Sequence, residues 1–527
     1  MLNRKSRRRA EAIARRNRPP SKTRPHGGMS RPVSRPSSPR RHAGALKSVL
    51  LTTAAASAIL IAAPTSARAQ IAVPGGNDPR CPVTGTTATC TGDLSDGLVV
   101  DGNLIQTLNV NNLTAAISPG ANIRGIAVNG GGSGLTINVD TGAYGISTMG
   151  AHGISATENN ADIAITSVGN ITTTGSGAIG IYTRVNGNGN ITISSTGDIS
   201  TTSYRISEGI KARVRGRGDI TITSTGKIIT SDNGADAVEA HVTGGAGTVT
   251  VNLSGGTVQG GRGAAAAVRF SGGGANSVNT LNNDVTLSAL SGLAVLGGLG
   301  KEIINNTGTI VSRVDLGEGE DTVNNTGTIT GSVVLGGGDD TVNLDASGTR
   351  TNAIFDGGDQ TDTFRLTGSG SNTLTGAQHQ NFEKLEKTGS STWSLAGMHA
   401  FSQSATVLGG LLDLSGTLST PTLTNQAGLT AGGVGTTGTG TVDGNLVQTE
   451  KGHLVVDIDV AAGTSDRINV TGTAQLSGTV APRLLTARQG ESQYTILSAA
   501  GGRRHDRPDP QSRRRCVPLL SGAALSQ

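Results

Sequence analysis

Lys211, Arg213, Arg215 and Arg217 alternate with Ala212, Val214 and Gly216, so on an extended chain the four cations stand on one side. A rank of this kind suits an anionic partner, because guanidinium and ammonium groups hold sulfate or carboxylate through charge-assisted hydrogen bonds. The chain repeats itself every 28 to 29 residues, and at that step Arg184, Arg213, His241 and Arg269 fall into one column over four successive repeats. The column reads as a grip for a sulfated or uronic glycan. The plainer reading is a solvated face, with Glu239 beside Lys211 as an ion pair contributing under about 1 kcal/mol.

Catalytic chemistry has less to stand on. There is no G-x-S-x-G, G-D-S-G or G-D-S-L, and Gly92-Asp-Leu-Ser95 only scrambles the last. His152, His241, His379, His399 and His453 each lack a neighbouring motif that would mark a nucleophile or base. The acids are spread too thinly to nominate a lyase site. The expectation is therefore a protein that is not an enzyme, with an exported β-helix polysaccharide lyase or hydrolase as the rival class. Arg217-Gly218-Asp219 is an RGD tripeptide, an integrin-type signal in an exported protein. Gly218-Asp219 also aligns with Gly189-Asn190 of the preceding repeat, which makes it a turn that the fold requires.

A second set of candidates lies further on, in Gly317-Glu-Gly-Glu-Asp321-Thr-Val323 and Gly336-Gly-Gly-Asp-Asp340-Thr-Val342, with a looser form ending in Asp362-Thr-Phe364. The pattern resembles the calcium-binding nonapeptide of repeats-in-toxin proteins, in which carboxylates and carbonyls of stacked turns share an ion. That resemblance implies Asp321 and Asp340 as calcium ligands. Here each motif occurs once in a repeat of about 19 residues rather than in tandem nines. The alternative is corner chemistry with an acidic edge in water.

These residues need a scaffold that keeps register. Between 161 and 230 one sentence is written three times, with Ile163, Ile191 and Ile220 equivalent, and Val249 and Val278 continue at the same step. Within a period the apolar residues alternate, as in Ile220 and Ile222 or Ile210, Ala212 and Val214. Period two means strand, and the intervening Gly with Asn or Asp supplies corners. Three short strands per period define a coil of a right-handed parallel β-helix, an all-β solenoid whose coils bury their apolar side only by stacking. A shorter coil follows from Lys301, where Ile303-Ile-Asn-Asn-Thr-Gly-Thr-Ile310 is echoed by Val323-Asn-Asn-Thr-Gly-Thr-Ile329.

Composition agrees. With 80 Gly in 527 residues and 2% aromatics, only a long thin core of Ile, Val, Leu and Ala can be built. The net charge of +6 is concentrated at the ends: residues 1 to 47 hold 15 Lys and Arg against one acid, whereas 48 to 500 hold 22 basic and 34 acidic residues. An acidic body argues against nucleic acid as a partner. Residues 1–47 read as a disordered basic leader, and whether Met1 or Met29 starts the chain stays open. Residues 48–69 read as the hydrophobic region and cleavage site of a signal peptide, cut after Ala69 in Ala67-Arg-Ala69 and recognised by the Sec translocon. In an exported chain, Cys81 and Cys90 within 70–99 most simply form one disulfide, worth on the order of 2 to 3 kcal/mol. The solenoid then divides into 100–300 with long coils, 301–369 with short coils and G-x-G-x-D motifs, and 370–500.

Four of the five Phe (Phe355, Phe364, Phe382 and Phe401) and Trp393 fall between 355 and 401, so stability should concentrate toward that end. Phe382-Glu-Lys-Leu-Glu-Lys-Thr-Gly through Trp393, and Val407-Leu-Gly-Gly-Leu-Leu-Asp-Leu414, resemble the repeat of bacterial autotransporter passenger domains. The segments Leu454-Val-Val-Asp-Ile-Asp459 and Asp466-Arg-Ile-Asn-Val-Thr-Gly-Thr-Ala474 resemble the pertactin-like cap of such passengers. The resemblance implies a type V secretion substrate, an adhesin at the outer membrane or cell surface, facing a host or environmental glycan or matrix. It also implies a translocator β-barrel after the cap. Instead, residues 501–527 form an Arg-rich tail with Cys516 and no period of two. The tail reads as a truncated or shifted frame, or as a deliberate basic tail. Without the barrel, the periplasm is the expected destination.

Overall fold

Strand-forming runs of Ile, Val and Thr, broken by Gly-Asn and Gly-Asp corners, wind this chain into coils. The computed structural model describes residues 70–74, 78–203, 205–350, 353–487, 492–504 and 520–521. The leader, the signal segment with Ala69, and residues 505–519 and 522–527 of the tail lie outside the described residues. One coil consists of Ile181–Val185, Ile191–Thr196 and Ile199–Thr202, and Ile210–Val214 opens the next. Inward and outward side chains alternate along each strand, as a pleated backbone demands.

The first strand of each coil joins a 13-stranded parallel sheet from Ile71–Val73 to His379–Gln380, and the other strands build a larger sheet. The result is a parallel β-helix. Antiparallel pairing among the described residues is confined to short hairpins, such as Val83–Thr84 with Thr87–Gly92, and to the pairing of Gln493–Tyr494 with Leu520–Ser521. The Val83 hairpin is tied by the Cys81–Cys90 disulfide.

Ile163 pairs with Ile191 and Ile191 with Ile220, all three buried, so the expected column exists. Val249 extends it, but Val278 does not. The coil after Val249 is one residue longer than the repeat suggests, so Asn279 takes the inward place and Val278 lies opposite Thr248. Since a one-residue slip exchanges the two faces, a polar side chain now enters the interior. The next coils place Glu302, Asp321, Asp340 and Asp362 at the same inward position, all buried. An isoleucine column thus continues as an acid column.

Glycine makes the corner above these acids possible. Gly317, Gly336 and Gly358 stack with φ of +106°, +118° and +109°, and a Cβ on Gly336 would meet the carbonyl oxygen of Gly317 at 1.9 Å. Only glycine tolerates that conformation and that approach.

Toward the C-terminal end, Phe355, Phe364, Phe382, Trp393 and Phe401 are all buried. Phe364 meets Phe355 and Phe382 edge-on at 5.8 and 4.9 Å between ring centroids. Arg350 lies 4.7 Å over the Trp393 ring. In the last coils the glycine-rich loop around Gly433 and Gly435 is clamped by carboxylates: its N–H groups donate to Asp413 and Asp457, and that of Gly438 donates to Asp466.

The Ile column generates a direct prediction. Ile220→Asp buries a charge between Ile191 and Val249 and should lower the stability to unfolding by about 3 kcal/mol or more. Thr221→Ala, on the outward side of the same strand, should change it by less than about 0.5 kcal/mol. Urea unfolding followed by circular dichroism distinguishes them; equal midpoints would refute the register.

Candidate functional site

The outward face of the 13-stranded sheet collects charge over four coils. Successive strands pair Ile154, Ile181, Ile210, Val238 and Val268 in one inward row. One residue further along each strand comes an outward column of Ser155, Tyr182, Lys211, Glu239 and Arg269. Two residues beyond that lies a second column of Thr157, Arg184, Arg213, His241 and Ser271. A third column precedes the strands, where backbone bonds stack His152, Ile179, Glu208, Asp236 and Ala266.

This arrangement corrects the expected basic column. Arg184, Arg213 and His241 do stack, but the next rung is Ser271, and Arg269 stands one column over beside Glu239. The cause is coil length. Val238 to Val268 spans 30 residues where the two preceding steps span 29 and 28. A two-residue gain keeps Arg269 on the outward face but moves it to the neighbouring column.

The first and third columns are joined by ion pairs. Lys211 Nζ lies 2.6 Å from Glu208 Oε1 and 2.6 Å from Glu239 Oε2. Arg269 holds Asp236 with Nε at 2.5 Å and Nη2 at 3.0 Å, and also donates to the Ala264 carbonyl. Burial raises the Glu208 carboxyl and outweighs the attraction of Lys211. For Glu239, burial works upward, yet Lys211 and a hydrogen bond shared with Glu208 bring it below the usual range. Lys211 is driven up by its two carboxylates against the opposing effect of burial. Burial likewise raises Asp236, with Arg269 only partly offsetting it.

Two histidines border the network, and both are shifted toward the neutral form. His152 is lowered to about 4 by burial and then by Arg124 and Lys211; its Nδ1 accepts the Ile179 N–H, and its ring stacks on Tyr182 at 5.1 Å. His241 is lowered by burial and by Arg213, and its nitrogens meet Ser271 and Thr243 at 2.9 and 3.0 Å. His241 is thereby less readily protonated than a free imidazole. Arg184 and Arg213, stacked one coil apart and half-buried, make no hydrogen bond or ion pair among the described residues.

Glu208, Asp236 and Tyr182 were not singled out from sequence. The available signal was the recurring pair Glu208-Gly209 and Asp236-Ala237 just before an alternating run, a position equivalent in every coil.

The RGD tripeptide is a corner. Asp219 donates its N–H to Asn190 Oδ1 and its own Oδ1 accepts the Thr248 N–H, in line with the Asp162 to Asn190 bond one coil earlier. A Cβ on Gly218 would meet the Gly189 carbonyl oxygen at 2.2 Å, so glycine is required there.

The structure also places Asp321 and Asp340 differently from the outer edge that the calcium resemblance implied. Both carboxylates turn into the interior and accept backbone N–H groups from the coil before, instead of lining an outer edge. Among the described residues, no three His, Cys, Asp or Glu side chains converge as metal ligands would. No protein family, curated protein or solved structure matches this chain.

Lys211 is the keystone of the network. Lys211→Met leaves Glu208 and Glu239 facing each other without a cation and should destabilise the protein by about 3 kcal/mol at pH 7. Arg213→Met, which breaks no pair, should change stability by less than about 0.5 kcal/mol. Urea midpoints for the two variants provide the comparison.

Proposed function

We propose that the chain is a non-enzymatic, adhesin-type passenger, exported through the Sec translocon, that binds an anionic glycan on Arg184 and Arg213. The observation that carries this reading is the contrast within one face. Glu208, Glu239 and Asp236 are each engaged by Lys211 or Arg269. Arg184 and Arg213 beside them are outward and unpaired among the described residues. Stacked at about 4.8 Å, two guanidinium groups can share one sulfate or carboxylate through charge-assisted hydrogen bonds. Tyr182, in the adjoining column and braced by His152, offers a flat apolar surface for a sugar ring. Location at the outer membrane or cell surface belongs to the same reading and rests on the signal pattern and the passenger-like repeats.

A polysaccharide hydrolase or lyase is the second reading, favoured by one observation: the Glu208 and Glu239 carboxyls are hydrogen-bonded and displaced in opposite directions, as in acid–base pairs. Lys211 bridging both works against it, because neither carboxylate is free to reach a substrate.

The full chain should bind sulfated or uronic glycans on an array in preference to neutral ones, more weakly as salt rises. Arg184→Ala with Arg213→Ala should reduce that binding about tenfold or more, on the scale of charge-assisted contacts. Unchanged binding by the double variant would sink the assignment, and new sugar ends appearing during incubation would favour the enzyme.

A further inference from the structure

The acid column inside the solenoid lies on a different sheet from the glycan face. In each rung one oxygen is satisfied by the coil before it. Glu302 N–H donates to Asp321 Oδ1 at 2.7 Å, Asp321 N–H to Asp340 Oδ1 at 2.7 Å, and Asp340 N–H to Asp362 Oδ1 at 2.8 Å. Glu383 Oε2 ends the series by accepting the Asp362 N–H at 2.7 Å. Glu302 Oε1 takes the Asn279 amide at 2.7 Å and the Gly298 N–H at 3.1 Å. The second oxygens of Glu302, Asp321, Asp340 and Asp362 are buried and have no hydrogen-bond donor among the described residues. Four consecutive orphaned oxygens demand a partner, since a buried acceptor left unpaired is costly.

Among the described residues, the surroundings do not supply one. Lys301 is the cation that acts on the column, and it draws Asp321 down only slightly against burial and Glu302. Asp339, Asp356 and Glu383 act on Asp340 and Asp362 with the same sign as the column itself. Across the interior, the strands Arg313–Glu318, Val333–Gly337 and Phe355–Asp359 present Val314, Leu316, Val333, Leu335 and Phe355 inward, and none of these carries a charge.

We propose that the column is a proton-operated lock on the coils from 301 to 367, closed while its carboxyls carry protons and loosened as they ionise. A protonated carboxyl donates O–H to an acceptor that otherwise has none, and the Glu302 and Asp321 side chains are already within hydrogen-bond reach of each other. Ionised, the rungs set like charges about 4.8 Å apart in a medium that screens them poorly. Burial is the chief cause that raises Glu302 to about 7, Asp321 to about 8, Asp340 to about 7 and Asp362 to about 6.

The direction follows from linkage. In the unfolded chain these groups ionise near their ordinary values of 3.8 and 4.5. The folded column therefore holds more protons than the unfolded chain from about pH 4 upward. Its contribution is complete below that range and is lost as pH rises through about 6 to 8.

Hydrogen exchange on the full chain, corrected for intrinsic rates, tests the lock. Between pH 5 and pH 9, protection of amides in 301–367 should fall at least about tenfold relative to those in 163–230, where the same column is isoleucine. The triple variant Asp321→Asn, Asp340→Asn, Asp362→Asn keeps the backbone acceptors and supplies a donor at each orphan, so its protection ratio should be flat with pH. Asp340→Asn alone should flatten it partly, which keeps the test open if the triple variant fails to fold. A wild-type ratio that does not move with pH, or a single variant with the full wild-type dependence, overturns the lock. Millimolar calcium chloride restoring protection at pH 9 would overturn it too, because a metal ion rather than protons would then close the column.

Discussion

Every feature of this molecule depends on one bond type, the backbone hydrogen bond that runs from each coil to the next. Because the strands are parallel and in register, the bond fixes which side chain lies over which, at about 4.8 Å per step. A residue choice is then judged by its neighbours above and below, more than by its own propensity. Isoleucine over isoleucine gives a dry column. Asparagine over asparagine gives an amide ladder, as Asn282, Asn305, Asn324 and Asn343 do with bonds of 2.7 to 2.8 Å. Aspartate over aspartate gives a stack that cannot be charged cheaply.

The same constraint explains why the charged face is an organised site. Glu208 with Lys211, Asp236 with Glu239, and Arg269 come from three successive coils, and the stacking sets their charges side by side. A rigid support of this kind positions Arg184 and Arg213, which make no hydrogen bond or ion pair among the described residues. Preorganised and unpaired cations are what an anionic ligand exploits, since little ordering is left to be done on binding.

How much of this was legible in the sequence depends on coil length. The column of Ile163, Ile191 and Ile220 was readable because those coils differ by at most one residue and the repeated phrase is nearly verbatim. The loss of Arg269 from the Arg184 column, and the slip that replaced Val278 with Asn279, both arise in coils of 30 residues. Periodicity alone cannot place an insertion within a turn, and in a strand one residue exchanges faces. Asp321 and Asp340 were misplaced for a different reason. A carboxylate after Gly-x-Gly has the composition of a solvated corner, and only the neighbouring Val323 and Val342, two residues on and also inward, carried the parity that puts the acid inside.

That parity has a consequence for the whole molecule, because a second buried titrating group works in the opposite sense. His379 and His399 stack with Nε2 and Nδ1 2.9 Å apart, and His379 also lies flat on Phe401. Burial lowers both, His379 to about 3, so their contribution is complete above about pH 6.5 and is lost as pH falls below it. Between about pH 4 and 6 the two effects oppose each other. Each proton by which the folded and unfolded chains differ tilts stability by about 1.4 kcal/mol per pH unit. The column offers up to four such protons and the histidine pair at most two. In that interval the column and the histidine pair therefore tilt stability in opposite directions with pH. An interior that replaces isoleucine with stacked carboxylates gives up the pH-independence of an apolar column in the coils between 301 and 367, while the coils between 163 and 230 keep isoleucine at that position.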